Sequence, residues 1–226
     1  MLFEITNQPI FGVTITIITY LFGVWLNNRF KSIFTTPLLV STVLIISFLL
    51  VFKIPLENYK SGAVFIEMLI PPATTALALS IWKNVNLIKK NLLPIVTGCI
   101  VGAITSILCV IVLCKLFNID EKIFLSLLPK SVTTAIAIQL TEEVGGIIPI
   151  TSVAVFITGV FIGVTSPFLI KVLRIKNKVA AGIAMGTAGH AFATAKAIEI
   201  GEVEGALSGI AIGICGLATV FFMIFV

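Results

Sequence analysis

The chain has 226 residues, of which 58% are hydrophobic and only 11% charged, and its mean hydropathy is +1.18. A soluble domain carries about a quarter charged residues, so this composition excludes one and specifies a protein of the lipid bilayer. The net charge of +5 resides in loop lysines, where it bears on topology and anionic lipid and gives no argument for nucleic acid.

Five stretches have the length and apolarity to cross a hydrocarbon core of about 30 Å. They cover 9–26, 37–52, 92–114, 144–170 and 205–226. The second is slightly short, and Lys53 can extend it by snorkelling. The N-terminal run MLFEITNQP has no basic region of the kind that opens a cleavable leader, so the first stretch is expected to be a retained helix. Cys99, Cys109, Cys114 and Cys215 all fall inside spans without a CxxC pair. They are expected to be small packing residues, neither disulfides nor metal ligands.

Lysine and arginine gather in three connections: Arg29 and Lys31; Lys83, Lys89 and Lys90; Lys171, Arg174, Lys176 and Lys178. The positive-inside rule places all three on the cytoplasmic side and the N-terminus outside. An even number of crossings must then lie between Lys90 and Lys171. The spans at 92–114 and 144–170 supply two, so the segment 121–143 is expected to enter and leave on the outer side.

Between the clean spans lie three interrupted segments. FIEMLIPPATTALALSI (65–81) is broken at Pro71 and Pro72, and FLSLLPKSVTTAIAIQL (124–140) at Pro129, Lys130 and Ser131. GTAGHAFATAKAIE (186–199) is broken at its opening Gly186 to Gly189. After each break a similar heptapeptide returns, TALALSI from Thr75, TAIAIQL from Thr134 and TAKAIEI from Thr194, at spacings of 59 and 60 residues. A single integral membrane domain with repeat-like units at about 36–82, 92–142 and 147–200, closed by a glycine-rich helix at 203–226, follows from this period. The expected fold is an all-α polytopic membrane protein, transporter-like, with about five full transmembrane helices and three broken or re-entrant segments.

Breaks matter because proline lacks an N–H and glycine tolerates left-handed turns, so each exposes backbone groups that hydrocarbon cannot satisfy. Each second half is too short to span, and paired half-helices in repeated positions point to a transporter's binding site. A helix N-terminus there attracts an anion. Ser131, Thr133, Thr134, Thr187 and His190 would add side-chain donors beside Gly186 and Gly189. Lys130, a cation at a break, is a countercharge for a carboxylate or else snorkels from a shallow tip. His190, the sole histidine, can be a proton relay, a substrate donor or a neutral packing residue. Glu67 is assigned to the outer interface rather than to coupling. Gly201, Gly205, Gly209 and Gly213 recur at every fourth position and predict close packing against another helix. Gly98 with Gly102, and Gly159 with Gly163, are weaker pairs of the same kind. Lys196 and Glu199, one turn apart, are expected to pair near the membrane surface.

LPKSVTTAIA with the following EEVGG, and GTAGHAFATAKAIEIGEVEGALSGIAIGICGL, resemble the signature of the LrgB/CidB family of bacterial membrane proteins. TTPLLVS and LIPPATTALAL agree with it, and the likeness runs from Pro9 to the end. The motif falls on Pro129, Lys130, Ser131, Thr133, Thr134, Gly186, Thr187, His190 and Glu204. The chain departs from the family pattern at Ala135, where relatives carry proline, and at Gly189, where they carry serine; both bear on substrate identity. The resemblance implies a plasma-membrane location and either antiholin-like control of murein hydrolase activity and lysis, or transport of small monocarboxylates such as pyruvate. It implies further a small LrgA-like membrane partner in a homo- or hetero-oligomer, and kinship with the plant plastid glycolate/glycerate translocator.

Two functions compete. The first is a secondary transporter or facilitator for pyruvate, glycolate or glycerate, with two opposed breaks holding the anion near the midplane. The second is a holin/antiholin-like regulator of permeability and lysis without a substrate site. Polar donors concentrated at breaks favour the transporter. Enzyme activity is not expected, because no nucleophile–base pair or paired interior carboxylates are present, and no metal or cofactor is expected either.

Overall fold

The structure is a computed structural model that describes residues 6–30 and 35–225. Lys31 and the first five residues, on which the first basic connection and the leader argument partly rest, lie outside the described residues. The described residues are helical, without strands, and form two compact units, Met1–Ala76 and Leu77–Val226. Five helical stretches are long and apolar enough to cross a membrane, and Pro37–Val51 is a shorter apolar helix. The chain is a multi-pass membrane protein.

The first unit contains α1 (Pro9–Phe30), α2 (Pro37–Val51) and α3 (Leu56–Glu67). In lipid, helices gain little from burying apolar surface against each other, so they associate where small residues let backbones approach. Here a side chain on Gly12 would strike the backbone of Tyr59 and Gly62, and one on Gly23 would strike Pro37. The Thr16 hydroxyl meets the Tyr59 hydroxyl at 3.1 Å beside the first contact. Proline at the first position of α2 suits a helix start, where no amide is needed.

Next come α4 (Ile70–Lys83), in which the two units divide, and the short α5 (Val85–Lys90). The expected break at Pro71 and Pro72 is a single tightened turn at Met68 and Leu69. Leu69 donates to the Ile66 carbonyl at 3.0 Å, and the ladder resumes with Ala73 donating to Leu69. The prolines occupy the second and third positions of α4, where a missing N–H costs nothing. Leu56–Lys83 therefore counts as one 28-residue apolar stretch.

The second unit continues with α6 (Leu92–Leu116), α7 (Glu121–Leu127), α8 (Thr134–Glu143), α9 (Ile148–Val172), α10 (Lys178–Ile200) and α11 (Glu202–Met223). The five predicted spans agree with helices to within about four residues at each end, but α2, at 15 residues, is short for a full crossing, and Leu56–Lys83 stands among the five long stretches in its place. α9 begins at Ile148 rather than at 144, because Gly145 takes φ +74° and ends α8 in a left-handed turn that glycine adopts without strain.

Two of the three predicted interruptions are hairpins. α7 and α8, of seven and ten residues, are about 10 and 15 Å long, too short to span. Their connection is non-helical through Pro129, Lys130 and Ser131. The Ser126 hydroxyl accepts from the Ile147 amide at 2.6 Å, and Thr151 donates to the Ser126 carbonyl at 2.9 Å. Those bonds return the chain beside α7 at the start of α9, so the segment turns back on itself as topology required.

α10 turns back as well, at His190, whose φ of +39° and ψ of −130° interrupt the helix. Before the turn, Gly182 packs on Glu204 and Gly186 on Ser208, in parallel with α11. After it, Thr194 meets Ser208 and Ile198 meets Gly205, in antiparallel order. Lys178 and Ile200, the two ends of α10, line one recess with Lys171 at the end of α9. One hairpin thus rises from each end of α9. A core of Ile95, Cys99, Ile183, Leu207, Ala211 and Cys215 joins α6, α10 and α11 around them.

Candidate functional site

The two hairpin tips touch. His190 Nε2 lies 3.3 Å from the carbonyl oxygen of Lys130. A carbonyl can only accept, so Nε2 carries the proton in this contact. The histidine is 2% exposed. Its own carbonyl accepts from Thr194 Oγ1 at 2.8 Å, and Thr194 Oγ1 is 2.7 Å from Ser208 Oγ. Thr194 has one hydroxyl hydrogen, spent on His190, so Ser208 donates to Thr194. A relay from α11 thereby fixes the backbone of the α10 turn.

Beside the tips lies a cavity of about 750 Å³ bounded by α6, α9, α10 and the α7–α8 turn. Its lining runs along α6 from Pro94 to Cys109, which is about 22 Å of helix axis. Asn91 and Asn177 stand at one end, each following a basic run, and Lys130 and Ser131 line the cavity from the turn. Asn177 also caps α10, accepting from the Val179 amide at 2.8 Å.

At the turn the polar groups form a short chain. Lys130 Nζ donates to Ser131 Oγ at 3.1 Å, and Ser106 Oγ donates to the same oxygen at 2.7 Å. Ser131 accepts twice, which leaves its own hydroxyl hydrogen free. Two ammonium hydrogens of Lys130 remain as well. Among the described residues no carboxylate lies within ion-pairing distance of Lys130; the ion pairs there are Lys60–Glu57, Lys83–Glu202 and Lys196–Glu199. The half-buried cation and the serine thus keep hydrogens still to donate, an arrangement suited to a small anion.

Of the predicted site residues, Lys130, Ser131 and Thr187 line this cavity. His190 sits behind it as the clamp between the tips. Gly186 is buried against the Ser208 backbone, and Gly189 against Ile162 and Ala193. Thr133 is the cap residue of α8 without a side-chain capping bond, and Thr134 is exposed; neither lines the cavity. Pro129 is buried in the turn. Within the glycine ladder, Gly205 faces Ile198, Gly209 faces Leu77 and Gly201 faces Glu204, while Gly213 has open space. The ladder thus meets several neighbours; Gly205, together with Gly182 and Gly186 of α10, brings a second backbone close to α11. Gly102 meets Thr187, and Gly159 meets Phe192 and His190, as close packing predicts. Lys196 pairs with Glu199 at 2.6 Å.

Sequence reasoning missed Ser106, Thr105 and Thr158 in the cavity wall, and Thr194 and Ser208 in the relay. The adjacent Thr105 and Ser106, midway along an otherwise apolar span, were the available signal.

The LrgB-like family model matches residues 16–226. The chain belongs to the LrgB-like family. It is 39% identical over 216 residues to the antiholin-like protein LrgB of Bacillus cereus strain B4264, covering 95% of this chain and 94% of that one. The antiholin-like protein LrgB of Bacillus anthracis strain CDC 684 / NRRL 3495 matches to the same extent. No solved structure matches the chain. The family membership predicted from LPKSVTTAIA and GTAGHAFATAKAIE therefore stands.

Proposed function

We propose that the Leu77–Val226 unit binds a small monocarboxylate of the pyruvate, glycolate or glycerate type and passes it across the membrane as a secondary transporter or facilitator. The observation that carries this reading is the unpaired Lys130 ammonium beside Ser131, in a cavity wall where two hairpin tips meet. A carboxylate there takes a charge-assisted bond from Lys130 and a hydroxyl bond from Ser131. Ser106 holds Ser131 in place, and Thr187 supplies polarity from the opposite helix. With the basic loops cytoplasmic, the cavity opens inward, and alternating access moves the hairpins against the remaining helices. A small LrgA-like protein is the expected membrane partner.

The test is uptake of labelled pyruvate and glycolate into proteoliposomes, with and without an LrgA-like protein. Saturable uptake is expected, and Lys130→Ala should lower it at least tenfold, the equivalent of about 1.4 kcal/mol from one charge-assisted bond. Equal uptake by wild type and Lys130→Ala, both folded, overturns the assignment.

A second reading is favoured by the relatives, which are named antiholin-like protein LrgB. In it the protein regulates membrane permeability and cell lysis without a substrate. Absence of uptake for every monocarboxylate, together with altered lysis on deletion, selects that reading.

A further inference from the structure

Cys99 on α6 and Cys215 on α11 are 116 residues apart in sequence and adjacent in space. Cys215 Sγ is 3.6 Å from the Cys99 carbonyl. Both are buried, at 0% and 3% exposure. Between them stands Thr187, whose hydroxyl accepts from Cys215 Sγ at 3.4 Å and donates to Cys99 Sγ at 3.9 Å. Thr187 also lines the large cavity. The dithiol is therefore one side chain away from the large cavity.

The polarity of that chain assigns unequal roles. Cys99 sulfur receives a hydrogen bond from Thr187, while the Cys215 hydrogen is directed at the Thr187 oxygen. A sulfur oriented by a hydroxyl, with a second thiol bonded to the same hydroxyl, is the arrangement of a cysteine that is oxidised and then resolved. Thr187 lines the cavity while Cys99 and Cys215 do not, so an oxidant must be small enough to pass this one side chain. Two sulfurs and a hydroxyl make a poor cage for a metal ion, which takes four ligands in a closed site.

We propose that Cys99 and Cys215 are a modification site for hydrogen peroxide or a comparably small hydroperoxide, which converts them to a disulfide between α6 and α11. Cys99 sulfur attacks one peroxide oxygen, the O–O bond breaks, and the departing hydroxide takes a proton to leave as water. Cys215 sulfur then attacks the resulting sulfenic sulfur, the S–O bond breaks, and a second water leaves. Two thiols lose two electrons and two hydrogens, and the peroxide is reduced to two waters. The product fixes α6 to α11 across α10, the helix that carries the His190 turn. The proposal does not rest on the carboxylate reading.

The full chain in lipid nanodiscs, carrying Cys109→Ser and Cys114→Ser, is treated with hydrogen peroxide. It is then denatured with N-ethylmaleimide, and its intact mass is measured. Untreated protein should take two maleimides; treated protein should take none, weigh two hydrogens less, and recover both sites after reduction. Thr187→Val should slow this about tenfold, the rate equivalent of one hydrogen bond to the attacking sulfur, and Thr187→Ser should restore it. Cys215→Ser should stop at a sulfenic acid that dimedone traps. The proposal is overturned if both thiols still take maleimide after an exposure that oxidises the cavity-facing Cys109 of the wild type. Independent over-oxidation of the two sulfurs without a disulfide overturns it equally.

Discussion

The interruption at Pro71 and Pro72 and the one at His190 stand in contrast. The first has two consecutive prolines, the strongest breakers available, and yields one tightened turn within a 28-residue apolar stretch. The second has a histidine with no breaking propensity of its own and reverses the chain. Prolines at the start of a helix sit where no backbone bond is lost. His190 is held at φ +39° by its tertiary ties: its ring on Lys130, its carbonyl on Thr194, and Thr194 on Ser208. Local breakers permit a turn; tertiary hydrogen bonds impose one.

The largest expected effect comes from removing the close approach that lets the reversed helix pack. A side chain at Gly186 would collide with the Ser208 carbonyl and Cα, which are backbone and cannot swing away. Gly186→Leu should therefore destabilise the second unit by about 3 kcal/mol. Thermal unfolding in detergent should show a drop of several degrees, and Gly213→Leu, at a position with open space, should show little. Equal losses at the two glycines would mean that the parallel contact between α10 and α11 is not what holds the hairpin.

Much of this was legible in advance. Proline, lysine and serine at 129–131 mark the first hairpin directly, and the charge pattern of the loops predicted a segment that turns back. Gly186 to Gly189 located the second hairpin to within a few residues. The glycines, however, serve close contacts with α11 and α9, while the reversal itself falls on the next residue. The polar wall was less legible. Serine and threonine in an apolar helix can satisfy themselves on the carbonyl four residues earlier, as Thr105 does on Val101 at 2.7 Å. Their presence therefore does not announce a cavity. The pairing of Cys99 with Cys215 left no local trace, because nothing in the span of either cysteine encodes a neighbour 116 residues away.

A smaller effect sharpens the same contrast by its sign. His190→Ala removes the ring bond and leaves the Lys130 carbonyl without that partner, a loss of about 2 kcal/mol. His190→Gly loses the same bond but relieves the left-handed backbone, and should be about 1 kcal/mol more stable than the alanine variant. In an ordinary helix interior the order is the reverse, with alanine about 1 kcal/mol better than glycine. Chemical unfolding of the two variants side by side measures the difference. Alanine outranking glycine would remove the reversal from His190.

The smallest effect is expected where the sequence looks most broken. Met68, at the turn, has φ −60° and ψ −16°, already within the right-handed helical region, so the backbone needs no rearrangement to carry a regular ladder there. Pro71→Ala with Pro72→Ala restores two amides that can reach the carbonyls of Glu67 and Met68, four residues earlier. It also removes two rigid rings that favour the helix start. These contributions oppose each other, and the double variant should stay within about 0.5 kcal/mol of the wild type in thermal unfolding. Its uptake in proteoliposomes should be unchanged. A loss of transport without a loss of stability would place this turn with the two hairpins as a moving part. The resemblance of TALALSI to TAIAIQL and TAKAIEI would then reflect shared mechanics, and helix composition alone would no longer account for it.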